Sequence, residues 1–270
     1  MGQLLTHAAG SGVKRIIVGL GGSATNDAGC GAACGAGAKF YNAAGEAFVP
    51  TGGTLCEVAD IDLSGMDAAL AQVEIITMCD IDNPMYGTNG AAYIFAPQKG
   101  ADPDMVVQLD NGLRHLAAVM ADKLGADYPD TPGAGAAGAM GMGMMAFFGG
   151  RLQMGIRTVL DVVRFEELAA DCDYVITGEG KLDSQSLRGK VVIGVAQRAK
   201  ALGKDVIAIV GGADDGEIGA AYEQGVTAVF PINRLPQDFS VSRHHSVDNL
   251  RYTADNIMRL LAAEQRRAKV

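Results

Sequence analysis

The sequence predicts an α/β protein of two domains, and three observations support this prediction. Beyond Arg151, short apolar runs alternate with helical stretches, which is typical of a parallel sheet with right-handed crossovers. The first half has a different texture, because its strands and small-residue helices are separated by glycine-rich turns. A chain of 270 residues is also long enough for two domains at about 100–200 residues per domain. We therefore expect one domain over residues 1–150 and another over residues 151–270.

The individual elements follow from hydrophobic periodicity and from residues that begin or end helices. The clearest is an amphipathic helix that begins at its N-cap Asp102, has Pro103 in its first turn and ends before Gly125. The other expected helices cover residues 2–9, 28–40, 189–202, 214–224 and 248–265, and the expected strands cover residues 14–18, 73–79, 174–177, 206–210 and 226–230. With only three clear strands after residue 150, we expect an exposed sheet edge.

Charge and composition exclude several classes of protein. The chain has 22 Lys and Arg residues against 31 Asp and Glu residues, and a net charge of −9 repels a nucleic-acid backbone. Hydrophobic residues make up 49% and charged residues 20%, which excludes a wholly disordered chain and a membrane-embedded one. A small anionic ligand would therefore need a local cluster of positive groups.

The spacing of the cysteines and one uncharged stretch indicate in which compartment we expect the protein. The five cysteines form no CxxC pair and lie near no histidine, so we expect reduced thiols in a cytoplasmic protein, without a zinc site or a disulfide framework. Residues 131–150 carry no charge and are long enough to cross a bilayer. They contain seven glycines and Pro132, however, which makes a spanning helix poor. We expect a glycine-lined loop that leads into a buried helix, and no membrane partner.

The glycine loop after the first strand leaves two enzyme classes open. Its residues Gly19-x-Gly21-x-x-Ala24 match a relaxed dinucleotide-binding fingerprint, and Glu46 has roughly the spacing of a ribose-binding acid. An NAD-dependent oxidoreductase is therefore one alternative, weakened because Glu46 lies in a turn. The same loop also carries hydroxyl, amide and carboxylate groups at a helix entrance, where backbone N–H groups attract anions. Its candidate binding residues are Gly21, Gly22, Ser23, Asn26 and Asp27.

A second candidate site follows the next strand, at the position where α/β proteins place ligands. Asp80 and Asp82 are two residues apart and point to one side of an extended segment, which suits Mg²⁺ or a general base. Asn83 follows them, and an Asx turn into Pro84 is the purely structural alternative. Further along the chain, Lys99 offers a cation for a carboxylate or a phosphate.

The densest group of polar residues, 177–186, again follows a strand directly. Two acids, a lysine and two hydroxyls hinged by glycines can hold a metal-bound phosphate and orient a hydroxyl beside it. The candidates in this segment are Glu179, Lys181, Asp183, Ser184 and Gln185. Lys190 lies at the start of the following helix and adds positive potential. The sequence contains no Walker loop, no protein-kinase catalytic loop and no GxSxG nucleophile elbow.

Together with two further segments, these loops make the chain resemble the type I glycerate kinases over essentially its whole length. The five motifs, in family order, are Gly21–Asp27, Cys79–Pro84, Pro97–Ala101, Pro132–Gly138 and Thr177–Ser186. The resemblance implies phosphorylation of D-glycerate to 2-phosphoglycerate with ATP and Mg²⁺. It also implies a Rossmann-like parallel-sheet domain, of which residues 151–270 are the C-terminal part, and an inserted mixed α/β domain formed mostly by residues 1–150.

We assign expected roles to the candidate residues on this basis. Asp80, Lys181 and Asp183 are expected to be catalytic, and Asp82 and Glu179 to bind the metal. The expected substrate- and phosphate-binding residues are Gly21, Gly22, Ser23, Asn26, Asp27, Asn83, Lys99, Glu179, Ser184, Gln185 and Lys190. In-line phosphoryl transfer needs donor, acceptor and metal together, so we expect the three loops to converge on one cleft. The identity of the base, the phosphorylated hydroxyl and the oligomeric state stay open.

The chain departs from the family pattern because it lacks the family's N-terminal segment. Strands from that segment would pair with those of residues 174–230. We therefore expect the chain alone to be aggregation-prone, weakly stable and without measurable kinase turnover, although still folded between residues 14 and 150. Turnover near 1 s⁻¹ or above in a coupled assay, about the low end for kinases, would contradict this expectation. A non-catalytic fragment that binds glycerate or nucleotide is the third alternative.

Overall fold

The protein, seen in a computed structural model that describes residues 1–184 and 186–267, consists of two compact units. The first unit is Met1–Gly155 and the second is Ile156–Val270. Both combine helices with parallel strands, so the α/β class predicted from the sequence is confirmed. The family roles expected for the two domains stay a prediction.

The first unit contains five helices and two small sheets. The helices are α1 (Gly2–Gly10), α2 (Cys30–Gly35), α3 (Ala91–Phe95), α4 (Pro103–Leu124) and α5 (Ala136–Phe148). The strands are β1 (Arg15–Gly19), β2 (Lys39–Tyr41), β3 (Ala47–Phe48), β4 (Asp60–Asp62), β5 (Glu74–Met78) and β6 (Arg151–Gln153). A parallel sheet has the order β1-β5-β6, and an antiparallel sheet has the order β3-β2-β4. Because β1 and β5 are parallel neighbours, the loops that follow them leave the sheet at the same edge.

Helix α4 forms as its sequence predicts. The side chain of Asp102 accepts a hydrogen bond from the N–H of Met105 at 2.8 Å, which caps the helix. At the other end Gly125 has φ +66°, a left-handed conformation that glycine adopts without strain. The buried face includes Leu113, Leu116 and Met120.

Helix α5 explains why residues 131–150 are rich in glycine. A Cβ atom on Gly141 would lie 2.1 Å from the carbonyl oxygen of Gly133, and one on Gly143 would lie 2.1 Å from that of Ala28. The helix therefore packs in direct backbone contact with its neighbours, which only glycine permits. Among the described residues, no helix is long and apolar enough to cross a membrane. The expected buried helix is confirmed.

The second unit is built on a three-stranded parallel sheet with the order β7-β8-β9. Its strands are β7 (Tyr174–Glu179), β8 (Asp205–Val210) and β9 (Ala228–Pro231). Its helices are α6 (Gly155–Val162), α7 (Phe165–Ala169), α8 (Val191–Ala201), α9 (Asp215–Glu223), α10 (Phe239–Ser242) and α11 (Ser246–Arg267). In the part of the chain that is described, β7 pairs only with β8, and Ile176 on it is 51% exposed. The expected exposed edge is confirmed.

Strand β8 is apolar from Val206 to Val210, and this part of the strand is buried on both faces. Val206, Ala208 and Val210 pack into one core with α8. Ile207 and Ile209 point to the opposite face and pack with Ile257 of α11. Such two-sided burial is typical of a central strand in a parallel sheet covered by helices.

Two details of the sequence prediction are wrong. The helix expected over residues 28–40 ends at Gly35, and Lys39–Tyr41 is a strand. The break occurs at Gly37, which has φ +109°, and where a Cβ would lie 2.1 Å from the carbonyl oxygen of Gly65. The second error concerns the strands after residue 150, of which the sequence predicted three. A fourth strand, β6, also follows residue 150, and it pairs with β5 in the first unit.

Candidate functional site

A cavity of about 600 Å³ lies in the first unit, where the loops after β1 and β5 leave the sheet. Gly21, Gly22 and Ser23 from the first loop line it, as does Asp80 from the second. The remaining wall comes mainly from Phe95, Gln98, Lys99, Ala136 and Ala137. We call this space the Lys99 cavity. Two loops that the sequence singled out separately therefore share one cavity.

Lys99 provides the positive charge of this cavity. Its Nζ atom donates to the Ser23 hydroxyl at 2.9 Å and to the carbonyl oxygen of Thr25 at 2.7 Å. A lysine ammonium carries three N–H donors, so these two contacts leave one for a ligand. Burial lowers the pKa of Lys99 below its ordinary value, and the negative charge of Asp27 partly opposes this shift. The ammonium is thus both fixed in direction and partly desolvated, which strengthens its attraction for an anion.

The backbone of the glycine loop adds further donors. Among the described residues, no N–H group from Gly21 to Asp27 donates a hydrogen bond to a protein acceptor. Gly22 has φ +71°, so the loop turns in a conformation that favours glycine. Unpaired backbone N–H groups in a turn form a concave site for anions. The glycine loop and Lys99 therefore both present N–H donors, and their positive charge attracts an anion.

Asn26 and Asp27 lie on the same loop but face other surroundings. The carboxylate of Asp27 accepts hydrogen bonds from Gly29 N at 3.1 Å and Gly31 N at 3.0 Å, which caps the start of α2. Asn26 is only 8% exposed, and both polar atoms of its amide lack a partner among the described residues. Both residues line a neighbouring cavity of about 520 Å³, to which Lys99 also contributes.

The segment after β5 is folded back on itself, and we call residues 79–90 the acidic loop. Oδ1 of Asp80 accepts a hydrogen bond from Gly155 N at 2.7 Å, which fixes the carboxylate beside the cavity. Nδ2 of Asn83 donates to the carbonyl oxygen of Asn89 at 2.7 Å, which closes the loop. Asp82 is exposed on the same loop.

The sequence analysis missed a left-handed turn at the start of α5. Ala137, Gly138 and Ala139 have φ values of 55°, 71° and 65° in succession. For alanine such a conformation costs about 1–2 kcal/mol per residue, so the surrounding structure must hold it in place. Gly138 does so by contact, since its carbonyl accepts from Ala28 N at 3.0 Å. The alternating glycine and alanine residues of 133–139 are the signal that could have indicated this turn.

The third predicted loop lies in the second unit, at the carboxyl end of β7. It pairs with the loop after β8, because Leu182 N donates to Gly212 O at 2.9 Å and Asp214 N donates to Leu182 O at 3.1 Å. Lys181 forms an ion pair with Asp214, with 2.9 Å between Nζ and Oδ1, and its side chain is 57% exposed. The presence of Asp214 as a partner was not predicted from the sequence.

The acids of this loop differ in their surroundings. Oδ1 of Asp183 accepts a hydrogen bond from Ser186 N at 3.1 Å, which orders the turn. Glu179 is half-buried, and its Oε1 is buried with no partner in the described part of the chain. Burial raises the pKa of the Glu179 carboxyl above its ordinary value. Ser184 is exposed and Lys190 is the N-cap of α8, whereas Gln185 lies outside the described residues.

The structure thus gathers part of the expected site. Gly21, Gly22, Ser23, Asp80 and Lys99 line one cavity. The remaining candidates of the first unit are Asn26 and Asp27 beside the neighbouring cavity, and Asp82 and Asn83 on the acidic loop. The candidates of the second unit are Glu179, Lys181, Asp183, Ser184 and Lys190. Their convergence with the first unit on one cleft stays a prediction.

The oxidoreductase alternative loses its supporting residue. Glu46 accepts a hydrogen bond from Nδ2 of Asn42 at 2.9 Å, within the turn between β2 and β3. A ribose-binding acid is expected at the end of a parallel strand of the nucleotide-binding sheet. The position of Glu46 therefore does not fit that role.

Comparison with known proteins agrees with the resemblance seen in the motifs. Residues 1–262 match the Glycerate kinase family. The chain is 45% identical over 267 residues to a glycerate 2-kinase of Escherichia coli K12, covering 99% of this chain and 70% of the relative. It is 43% identical over 256 residues to a glycerate kinase of Bacillus cereus, covering 95% and 67%.

A solved structure gives the same result. The crystal structure described as that of a glycerate kinase 2 from Salmonella typhimurium LT2 superposes with a TM-score of 0.82 at 41% identity. The match covers 98% of this chain and 69% of that one, so the chain spans about two thirds of the length of these relatives. The chain belongs to the glycerate kinase family.

Proposed function

We propose that this chain phosphorylates D-glycerate at the 2-hydroxyl, with Mg-ATP as phosphoryl donor. The observation that carries the proposal is the Lys99 ammonium, held by Ser23 and Thr25 in a cavity beside the carboxylate of Asp80. A cation next to an acid is the pairing that a 2-hydroxy acid requires, since the substrate carries a carboxylate and, on the neighbouring carbon, a hydroxyl that must lose a proton.

The glycine loop and Lys99 bind the carboxylate of the substrate. The third N–H of Lys99 and the N–H groups of Gly21 and Gly22 supply donors that have no acceptor in the described part of the chain. Hydrogen bonds to a charged group contribute about 1.5–3 kcal/mol each. In a protein of net charge −9, this local set of donors overcomes the general repulsion of anions.

Asp80 is the base that accepts the proton of the hydroxyl. One of its oxygens is fixed by Gly155 N, which leaves the other to face the substrate. Asp27 is less suited to this role, because both of its oxygens accept backbone hydrogen bonds, from Gly29 N and Gly31 N. Asp183 and Lys181 complete the catalytic set, with Lys181 stabilising the negative charge of the transferred phosphoryl group.

The donor set of the chain fits Mg²⁺, with Glu179 and Asp82 as its ligands. Glu179 presents a buried oxygen with no partner among the described residues, and a carboxylate oxygen is the ligand that Mg²⁺ prefers. The described residues contain no cluster of three metal-ligating side chains. Such a cluster is not needed, since Mg²⁺ in kinases uses one or two carboxylates together with phosphate oxygens. When bound, the ion neutralises charge on the phosphates, and Lys190 and Ser184 help to hold them.

The test is direct identification of the product. Purified chain at micromolar concentration is incubated for hours with D-glycerate, ATP and MgCl₂, and ³¹P NMR identifies the phosphate ester formed. We expect 2-phosphoglycerate to accumulate, even at turnover below about 1 s⁻¹, and to be absent when L-lactate replaces D-glycerate and in the Asp80→Asn variant. The absence of any glycerate phosphate after extended incubation would reject the proposed function, and 3-phosphoglycerate would reject the assigned hydroxyl.

A further inference from the structure

The polar side chains that line the Lys99 cavity differ in whether the protein already uses their hydrogen-bonding groups. They are those of Ser23, Cys79, Asp80, Gln98 and Lys99. The Ser23 hydroxyl accepts from Nζ of Lys99 at 2.9 Å, and the Cys79 thiol donates to a backbone carbonyl at 3.4 Å. Oδ1 of Asp80 accepts from a backbone N–H at 2.7 Å. Four of these side chains are therefore tied to the surrounding structure.

Gln98 is the exception. Its side-chain amide forms no hydrogen bond with any described residue. An amide carries two N–H donors and a carbonyl acceptor, so Gln98 brings both kinds of group to the cavity wall. The residue is exposed, which means that water occupies these groups until a ligand replaces it. The amide is thus available to a ligand without breaking a contact within the described protein.

The backbone places Gln98 beside the cation of the cavity in the chain. Gln98 and Lys99 belong to one turn of 3₁₀-helix, Pro97–Lys99. The turn is closed by a hydrogen bond from Lys99 N to Ala96 O at 2.9 Å. Both side chains therefore start from adjacent residues of an ordered turn, and both line the same cavity. A small acid whose carboxylate meets the Lys99 ammonium has the Gln98 amide in the same space.

D-glycerate has one polar group that the proposed function leaves without a partner. Lys99 and the glycine loop bind its carboxylate, and Asp80 accepts the proton of its 2-hydroxyl. The 3-hydroxyl is both a donor and an acceptor, as is a side-chain amide. A hydroxyl that leaves water without finding a partner costs free energy, so a site for D-glycerate needs a group of this kind.

We propose that Gln98 binds the 3-hydroxyl of the substrate, so that the cavity selects 2,3-dihydroxy acids over 2-hydroxy acids that lack this group. The inference rests on the proposed function for the identity of the substrate, but it concerns binding and is measured without turnover. D-lactate is the matched ligand, because it has the configuration and charge of D-glycerate and lacks only the 3-hydroxyl.

The experiment is a calorimetric titration of the parent and of Gln98→Met with each of the two acids. Methionine keeps the length of the side chain and removes both hydrogen-bonding groups. We expect the parent to bind D-glycerate about tenfold more tightly than D-lactate, as one hydrogen bond can provide. Gln98→Met should bind D-glycerate about tenfold more weakly than the parent, and D-lactate within about twofold of it.

The four affinities form a double-mutant cycle between the protein and the ligand, which isolates the contact between Gln98 and the 3-hydroxyl. A substitution that only disturbs the cavity weakens both acids equally and leaves their ratio unchanged. The matched control is Gln108→Met. Gln108 is an exposed glutamine on α4 whose Nε2 donates to Gly53 O at 3.3 Å, and it does not line the Lys99 cavity. This variant should keep the preference of the parent.

Ser23 provides the competing assignment, because its hydroxyl also lines the cavity. Since Ser23 holds Lys99, we expect Ser23→Ala to weaken both acids and to keep their ratio. A parent that binds the two acids equally, or binds neither, would overturn the inference. It would also be overturned if Gln98→Met kept the preference for D-glycerate, or if Ser23→Ala alone lost it.

The inference and the proposed function fail separately. The ³¹P NMR assay decides whether the parent forms 2-phosphoglycerate, and the ratio of the two affinities decides whether Gln98 binds the 3-hydroxyl. A preference that disappears in Gln98→Met supports the inference even where no phosphate ester is formed. Formation of 2-phosphoglycerate with an unchanged ratio in Gln98→Met would overturn the inference and leave the proposed function in place.

Discussion

The Lys99 cavity in the first unit and the loop of residues 179–184 in the second use polar residues in opposite ways. The cavity has one lysine, and the N–H groups of its glycine loop donate to no acceptor among the described residues. The loop is richer in charge, but its lysine is paired with Asp214 and one oxygen of Asp183 accepts from Ser186. The sequence motif with the most charged residues is thus not the one with the most unsatisfied donors.

This difference shows that, for binding an anion, donors without a protein partner matter more than the number of charged residues in a loop. Lys99 is half-buried and held in a fixed direction, so a ligand does not have to displace a counter-ion. Lys181 is exposed and must leave Asp214, or share its charge with it, when it contacts a phosphate. An exposed ion pair is worth only about 0–1 kcal/mol, so opening it is inexpensive. Both lysines can bind an anion, but only Lys181 must first open or share an ion pair.

The largest effect is expected for Lys99→Ala. Loss of a charged hydrogen bond of about 1.5–3 kcal/mol weakens D-glycerate binding by about 10- to 100-fold. Calorimetric titration measures the affinity directly. The control is Lys123→Ala, which removes an exposed lysine paired with Asp122 on α4 and should leave binding unchanged. Equal affinity in parent and Lys99→Ala would remove Lys99 from the site.

Next in size is Lys181→Ala. We expect at least a tenfold rise in the KM for ATP or D-glycerate, or an equal fall in kcat, equivalent to about 1.4 kcal/mol of transition-state stabilisation. The matched control is Lys200→Ala. Lys200 lies on α8, and its Nζ donates to the carbonyl oxygen of Glu223. Steady-state kinetics that are the same for both variants would make Lys181 a surface residue.

A smaller effect is expected from pH. Anion binding needs the protonated ammonium, so D-glycerate affinity is constant below the pKa of Lys99 and falls about tenfold per pH unit above it. Because burial lowers the pKa of Lys99, the decline begins at a lower pH than for an exposed lysine. Lys99→Arg should move the decline to higher pH, since arginine stays charged. A parent profile identical to that of Lys99→Arg would contradict the prediction.

The smallest effect concerns the strained wall of the cavity. Ala137→Gly should raise the free energy of unfolding by about 0.5–1 kcal/mol, because glycine adopts φ 55° without strain. The exposed Ala118 inside α4 is the control of opposite sign, and Ala118→Gly should lower stability by about 1 kcal/mol. Urea denaturation measures both. A loss of stability in Ala137→Gly would show that the turn is not strained.

The sequence predicted the elements whose signals are local. Helix α4 has its N-cap Asp102 and its terminal Gly125, and β8 is a continuous apolar run, so both follow from short-range patterns. The helix expected over residues 28–40 failed because contact with Gly65, distant in sequence, breaks it at Gly37. Helix propensity depends on nearby residues, so it cannot predict such a contact.

The sequence predicted which loops carry the site residues, but it did not predict how these residues are arranged around the cavity. Lys99 and Asp80 stood out by residue type and by position after strands or turns, whereas their sharing of a cavity depends on the pairing of β1 with β5. The turn at Ala137 and the hydrogen bond from Gly87 N to Asp110 involve backbone groups, which leave no pattern of side-chain types. Such features arise only when the chain folds.

The central claim, that the Lys99 cavity holds the organic acid, is tested most directly by amide exchange with and without D-glycerate. The N–H groups of Gly21–Asp27 have no acceptor among the described residues, so they should exchange rapidly in the free protein. We predict that saturating D-glycerate slows exchange in peptides covering residues 21–27 and leaves those covering residues 186–202 unchanged. Protection confined to residues 186–202, with residues 21–27 unaffected, would contradict the account.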